Sequence, residues 1–427
     1  MKCNTLLTLF LSSVAAFASP SETVVRHSVD ISQKPTEEQM FLIRTAAQQE
    51  DPGGMFMLGR LYAEGHGVVQ SWPKAVELYR RAAEKGLSEA MFTLSECYEH
   101  GWGVEQSIPE AVRLLRQSAQ AGFAIAQFNL AIAYEGGKYG IEVSLSEAAK
   151  WYRKAALQKL PQAQFRMYIL CLHGRGVPQS DKQAVGWLKL AAAGGMDKAQ
   201  YELGTLYIEG NHVQQSYTEG VRLLKQAAAQ GLAEAEANLS VCYYRGMGVE
   251  KDDGEAFRLA QSAADKGLVS AMSYLGEYYE KGHGVEASPT EAFRWYKAAA
   301  ERGHEGAQLR VAMSYLLGYG VEENKATAVM LLKILSEQGM NDAQLALALC
   351  YAKGEGVAAD ACAAFRWALA AAEQGNSVAQ LFVAFAYLNG DGVAQNPELA
   401  RKWVEKAAAQ GNEDAQEMLK DLQKEHQ

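Results

Sequence analysis

No long run of lysine or arginine occurs in this chain, and its formal net charge is −9. Such a surface repels phosphate backbones and anionic lipid headgroups, which argues against nucleic acid and membrane surfaces as partners. Neither C-x-x-C nor H-E-x-x-H spacing is present, so the commonest zinc motifs are missing. Cysteine is sparse at 6, and proline at 9. Glycine, by contrast, is plentiful at 39 and needs a structural explanation. Apolar residues at 48% and charged residues at 21% fit a folded chain and argue against wholesale disorder.

An apolar stretch of bilayer length is also lacking near the N-terminus. Met1-Lys2 is followed by an apolar run from Leu6 to Phe17 that ends in Ala16-Phe17-Ala18. About a dozen apolar residues are too few to span a bilayer, but a positive start, a short apolar run and an A-x-A site make a secretory signal peptide. Residues 1–18 are therefore expected to be cleaved after Ala18, which exports the chain to the periplasm or the medium. Cys3 precedes the apolar run and cannot be a lipoprotein cysteine. Residues 19–34 are polar and aperiodic and are read as a flexible leader.

What is abundant is repetition. A 36-residue period starts at Gly54, Ala90, Ala126, Ala163, Ala199, Ala235, Ala271, Ala307, Ala343 and Ala379. Only the third block departs from it, by one extra residue near Gly136-Gly137. In the block 271–306, Ala271, Leu275, Gly276 and Tyr279 recur on one helical face. Gly282-His283-Gly284-Val285 then breaks the helix, and Ala292, Trp295, Tyr296, Ala299 and Ala300 carry a second one. Each block reads as a helical hairpin whose apolar face stays wet unless neighbours stack on it. Residues 35–53 match half a block, ten repeats fill 54–414, and 415–427 form a closing helix around Leu419 and Leu422. The fold class is all-α, an α/α superhelical solenoid of about ten hairpins, expected as a monomer.

The second helices have N-cap residues in register: Ser71, Ser107, Ser144, Ser180, Ser216, Asp252, Ser288, Asn324, Asp360 and Asn396. Glu110, Glu147, Gln183, Glu219, Glu255 and Glu291 follow three residues later, the spacing of a capping box. Trp151, Trp187, Trp295, Trp367 and Trp403 share one second-helix position, which marks them as packing residues.

The pattern A-x-x-x-L-G-x-x-Y-x-x-G-x-G-V, then Ser, Asp or Asn, then A-x-x-W-x-x-x-A-A-x-x-G, resembles the Sel1-like repeat, a relative of the tetratricopeptide repeat. Gly204, Tyr207, Gly210, Val213, Ala227, Ala228 and Gly231 show it in the fifth block. The resemblance implies a right-handed superhelix with first helices lining its concave face, and an adaptor that binds a protein or peptide there. Carried onto this chain, one concave register runs through Phe56, Phe92, Phe128, Phe165 and Tyr201, and a second through Arg60, Glu96, Ile132, Ile169 and Thr205. Phe92, Phe128, Ile132, Phe165, Ile169, Leu172 and Tyr201 are the candidate partner-binding residues. Leu316, Leu317, Phe385 and Leu388 suggest a second apolar surface. Aromatic residues in the first register could equally be packing between repeats.

Some exported, cysteine-rich members of the family carry a β-lactamase label, so a cell-wall or β-lactam-modifying enzyme is the alternative. Those members have a cysteine pair in each repeat, which this chain lacks. Cys97, Cys242 and Cys350 share one first-helix position and Cys171 replaces the repeat tyrosine, as buried small side chains. Cys350 and Cys362 are the one pair within a block, and sequence does not decide whether they bond. Ser71-Trp72-Pro73-Lys74 fits S-x-x-K, but Ser71 is a cap and no S-D-N or K-T-G follows. His66, His212 and His283 are taken to share a loop position in separate repeats, too far apart for one metal. No catalytic residue, metal site or cofactor is expected.

Overall fold

The computed structural model describes residues 35–424, and every regular element among them is helical. The proposed signal segment and leader lie outside the described residues. Twenty-two α-helices run from Glu37–Gln48 to Glu413–Lys424, and most are 13 residues long. The chain divides into two units, residues 1–215 and 216–427. Within each, helices pack in sequence order, as Pro52–Glu64 does on Trp72–Glu84 and Asn341–Lys353 on Ala361–Glu373.

The glycines set the length of the first helices. Gly65, Gly101, Gly174 and Gly282 adopt left-handed backbone at C-caps, and Gly65 donates its N–H to the Leu61 carbonyl at 2.8 Å. Gly103, Gly284 and Gly320, two residues further along, have a different duty. A Cβ on Gly320 would lie 2.0 Å from the Pro289 carbonyl oxygen, and one on Gly284 2.0 Å from that of Asp253. This glycine lets each turn sit against the first residue of the preceding repeat's second helix. His212 occupies that position in its repeat, with φ 59, so it stands one residue beyond His66 and His283 rather than in register with them. Its imidazole reaches Asp181, the first residue of the preceding second helix, at 3.2 Å.

The second helices begin as expected and are capped differently. Ser107, Ser144, Ser180, Ser216, Asp252, Ser288, Asn324, Asp360 and Asn396 each accept from the N–H three residues on. Ser71 has the cap backbone without that side-chain bond. The reciprocal half of the box does not form at the five glutamates. Glu110, Glu147, Glu219, Glu255 and Glu291 turn to Arg113, Lys150, Arg222, Arg258 and Arg294, one turn along the same helix. The reason is that the cap N–H is already taken. Ser107 donates it to the Tyr98 carbonyl at 2.9 Å, Ser288 to Tyr279 at 2.8 Å and Asn396 to Tyr387 at 2.8 Å. That bond closes eight of the hairpins from the repeat tyrosine and a ninth from Cys171, which accepts from Ser180, and it leaves the glutamate free for its basic neighbour. Among the described residues a complete capping box forms only at Thr36 and Gln39, ahead of the first helix.

Small residues on the first helices are seats for large ones on the second. A Cβ on Gly59 would lie 2.6 Å from the Tyr79 ring, and one on Gly276 2.5 Å from that of Tyr296. Tyr79 and Tyr296 are buried. The tryptophans are half-buried, packing inward while Lys154 and Lys406 sit over Trp151 and Trp403 at 3.9 and 4.0 Å. Between repeats runs a ladder of buried glutamines. Gln127, Gln164, Gln344 and Gln380 each donate to a carbonyl at the end of the preceding second helix at 3.1 Å. Gln158, Gln374 and Gln410 in turn donate to Gln127, Gln344 and Gln380. Among the described residues Gln164 Oε1 has no partner, because Gly194 stands where the others have glutamine. A side chain at 194 would begin 2.7 Å from Pro161 Cγ.

The extra residue of the third block becomes a single 3₁₀ turn, Lys138–Gly140, with Tyr139 at φ 60. At the ends of the array, Glu37–Gln48 buries Met40, Ile43 and Ala47, and Glu413–Lys424 buries Ala415.

Candidate partner-binding surface

Every first helix has one face against its own second helix and another turned away from it. Residue two beyond the block start reaches the repeat's own second helix at Phe56 and Phe128, against Tyr79 and Tyr152, whereas residue six is half-buried or exposed in every repeat. In the N-terminal unit, Phe128, Ile132, Phe165, Ile169, Leu172 and Tyr201 are half-buried. Phe128 leans on the Tyr152 ring at 5.5 Å and Phe165 on that of Tyr168 at 5.7 Å, so one side of each ring is packing. Phe92 is a correction. It is buried, stacked against Phe123 at 5.6 Å within the cluster of Leu115, Ala119 and Ile125, and offers nothing to a partner. The first register is therefore largely core, and the second is the more open one.

Carboxylates share this face and differ in their company. Glu64 is held by Arg60 at 3.3 Å and His66 at 3.1 Å. Glu135 accepts the Tyr152 hydroxyl at 2.7 Å and lies 4.0 Å from Arg175. Glu96 and Glu202 are partly buried, and among the described residues neither has an ion-pair or hydrogen-bond partner. Burial pushes the Glu96 carboxyl up to about 7, with the neighbouring charge of Glu99 adding to it. Glu202 is raised for the same two reasons, burial and then Glu209. Glu99 itself accepts the Tyr139 hydroxyl at 2.9 Å, delivered from the 3₁₀ turn of the following repeat. The one aberrant block thus places a phenol over the acidic pair of its neighbour. That same turn lines a cavity of about 620 Å³ with Arg116, Tyr134 and Glu147.

In the C-terminal unit Glu277 pairs with Lys281, and the first helices of the last three repeats leave apolar residues exposed. Leu349 is 40% exposed, Phe385 50% and Leu317 67%. Leu388 is half-buried beside Trp403 and Ala384. Leu316 is a second correction: it is buried with Ala312, Val329 and Leu332, and Leu317 is the residue that faces out.

The chemical motifs resolve into local roles. The Lys74 ammonium lies over the Tyr62 ring at 5.3 Å, and no hydrogen bond joins it to Ser71 among the described residues. His66 pairs with Glu64 beside its own turn, and His283 with Asp253, the first residue of the preceding repeat's second helix. No group of three or more metal-ligating side chains converges among the described residues. Cys97, Cys171, Cys242 and Cys350 are buried free thiols and Cys362 an exposed one, so Cys350 and Cys362 do not bond.

Comparison with known proteins decides the family. A model of the Sel1 repeat matches ten consecutive segments, from 52–87 through 197–232 to 377–412. The chain is a Sel1-repeat protein. Its repeats resemble those of c5321, described as a protective antigen of uropathogenic Escherichia coli strains with an SLR fold. The two are 30% identical over 91% of this chain and 83% of that one, with a TM-score of 0.81. A Sel1 repeat protein from Oxalobacter formigenes is 31% identical over 59% of this chain and 96% of its own, at a TM-score of 0.50. No curated protein matches significantly. In this Sel1-repeat protein the family's small and turn residues account for the hairpins, and the outward registers carry what is particular to the chain. The period marked those registers but gave no sign that Glu96 and Glu202 lack partners, or that the extra residue aims Tyr139 at Glu99.

Proposed function

We propose that this Sel1-repeat protein is an exported, non-enzymatic scaffold that binds a protein or peptide partner on the outward face of its first helices. The observation that carries this is that apolar residues on that face stay accessible after folding. Phe385 and Leu349 remain half exposed, and Ile132, Ile169 and Leu172 half-buried, on helices whose other faces are packed. Apolar positions one per repeat suit an extended or helical segment held by successive side-chain pockets. The repeat family supports a role in protein interaction, and the signal-like residues 1–18 support export.

Immobilised chain is incubated with envelope and medium fractions, and the captured proteins are identified by mass spectrometry. Ile132→Asp combined with Ile169→Asp should abolish capture while leaving the far-ultraviolet circular dichroism unchanged. Undiminished capture by that folded variant overturns the placement of the surface. Turnover of a chromogenic β-lactam that is lost in Ser71→Ala would overturn the non-enzymatic part, and a mature N-terminus other than Ser19 would overturn the cleavage site.

A further inference from the structure

The first-helix face of the N-terminal unit has a charge pattern that its own chain leaves uncompensated. Its middle presents Ile132 and Ile169, half-buried in successive repeats, with Glu135 and Arg166 each one turn away. Glu96 lies one repeat before Ile132 and Glu202 one repeat after Ile169, each partly buried and each beside a second carboxylate, Glu99 or Glu209. None of the cations nearby serves these two acids: Arg60 is paired with Glu64, Arg175 faces Glu135, and Arg166, exposed one turn before Ile169, pairs with neither. The same fold neutralises carboxylates readily elsewhere on this face, as it does Glu64. An acid withdrawn from water with no cation gains most from one brought by a partner.

Resting on the scaffold reading above, we propose that the partner segment docking here is apolar in its middle and carries lysine or arginine at both ends. One cation meets Glu96 and Glu99, where Tyr139 already orients Glu99, and the other meets Glu202 and Glu209. An acidic or purely apolar segment leaves both carboxylates buried without a partner.

A random twelve-residue peptide display library panned against the full chain tests this. Enriched peptides are expected to carry two basic residues flanking apolar ones. Glu96→Gln with Glu202→Gln, which keeps shape and removes charge, should bind the enriched peptides at least about tenfold more weakly. Their affinity for the unmodified chain should fall as salt rises. Enriched peptides that need Ile132 and Ile169 yet lack basic residues, or that ignore the glutamine substitutions, overturn this inference and leave the scaffold reading standing. Peptides indifferent to Ile132→Asp with Ile169→Asp, or no enrichment at all, overturn both.

Discussion

Glu96 is held at a cost to stability, and removing its charge reverses that cost in a pH-dependent way. Its carboxyl stands near 7 in the folded chain against an ordinary 4.5, because burial and then Glu99 disfavour the charged form. A group whose folded pKa is raised binds its proton more tightly folded than unfolded. It therefore costs nothing well below pH 4.5, costs increasingly between pH 4.5 and 7, and costs a constant amount above. At about 1.4 kcal/mol per tenfold change in proton affinity, that amount approaches roughly 3 kcal/mol at pH 8 and stays under about 1 kcal/mol at pH 5. Glu96→Gln should accordingly raise the unfolding midpoint of the N-terminal unit by roughly 6–12 °C at pH 8 and only slightly at pH 5. Differential scanning calorimetry of both proteins at the two pH values reads this directly. An equal gain at both, or a loss at pH 8, would refute the argument that Glu96 is an uncompensated buried acid.

Other outcomes follow from the packing. Gly320→Ala should cost about 3 kcal/mol or more, because its Cβ lands on the Pro289 carbonyl, whereas Gly303→Ala, with φ 86 and nothing within 4 Å, should cost about 1–2 kcal/mol. Urea midpoints of the two variants check this, and equal losses would contradict the close approach between repeats. Thiol labelling with a disulfide reagent at pH 8 should modify Cys362 alone among the five described cysteines. Burial pushes the Cys97 thiol up to about 12 and that of Cys242 to about 11. Rapid labelling of the Cys362→Ser chain at Cys97 would show that the hairpins open readily.

The hairpins were legible because each repeat states its turn chemistry in residues of one use. Gly65 and Gly282 end helices, and Ser107 and Asn396 begin them. The capping boxes were misread because the Tyr98 and Tyr279 carbonyls reach the cap N–H first, a contact that a local motif cannot register. Phe92 and Phe128 look equivalent in sequence, yet Phe123 covers one and leaves the other half open. Likewise Leu316 and Leu317 are adjacent in sequence and opposite in exposure, which a single helical step decides. The acidic pattern at Glu96 and Glu202 was invisible for a further reason: a missing partner is a property of the surroundings, not of the residue.

Amide hydrogen exchange of the chain, with and without its captured partner, tests the central claim most directly. Protection is predicted over the first helices Ala124–Gly136 and Pro161–His173, with the second helices Leu145–Leu157 and Asp181–Ala193 unchanged. Protection confined to those second helices would place the partner on the opposite face and contradict the account.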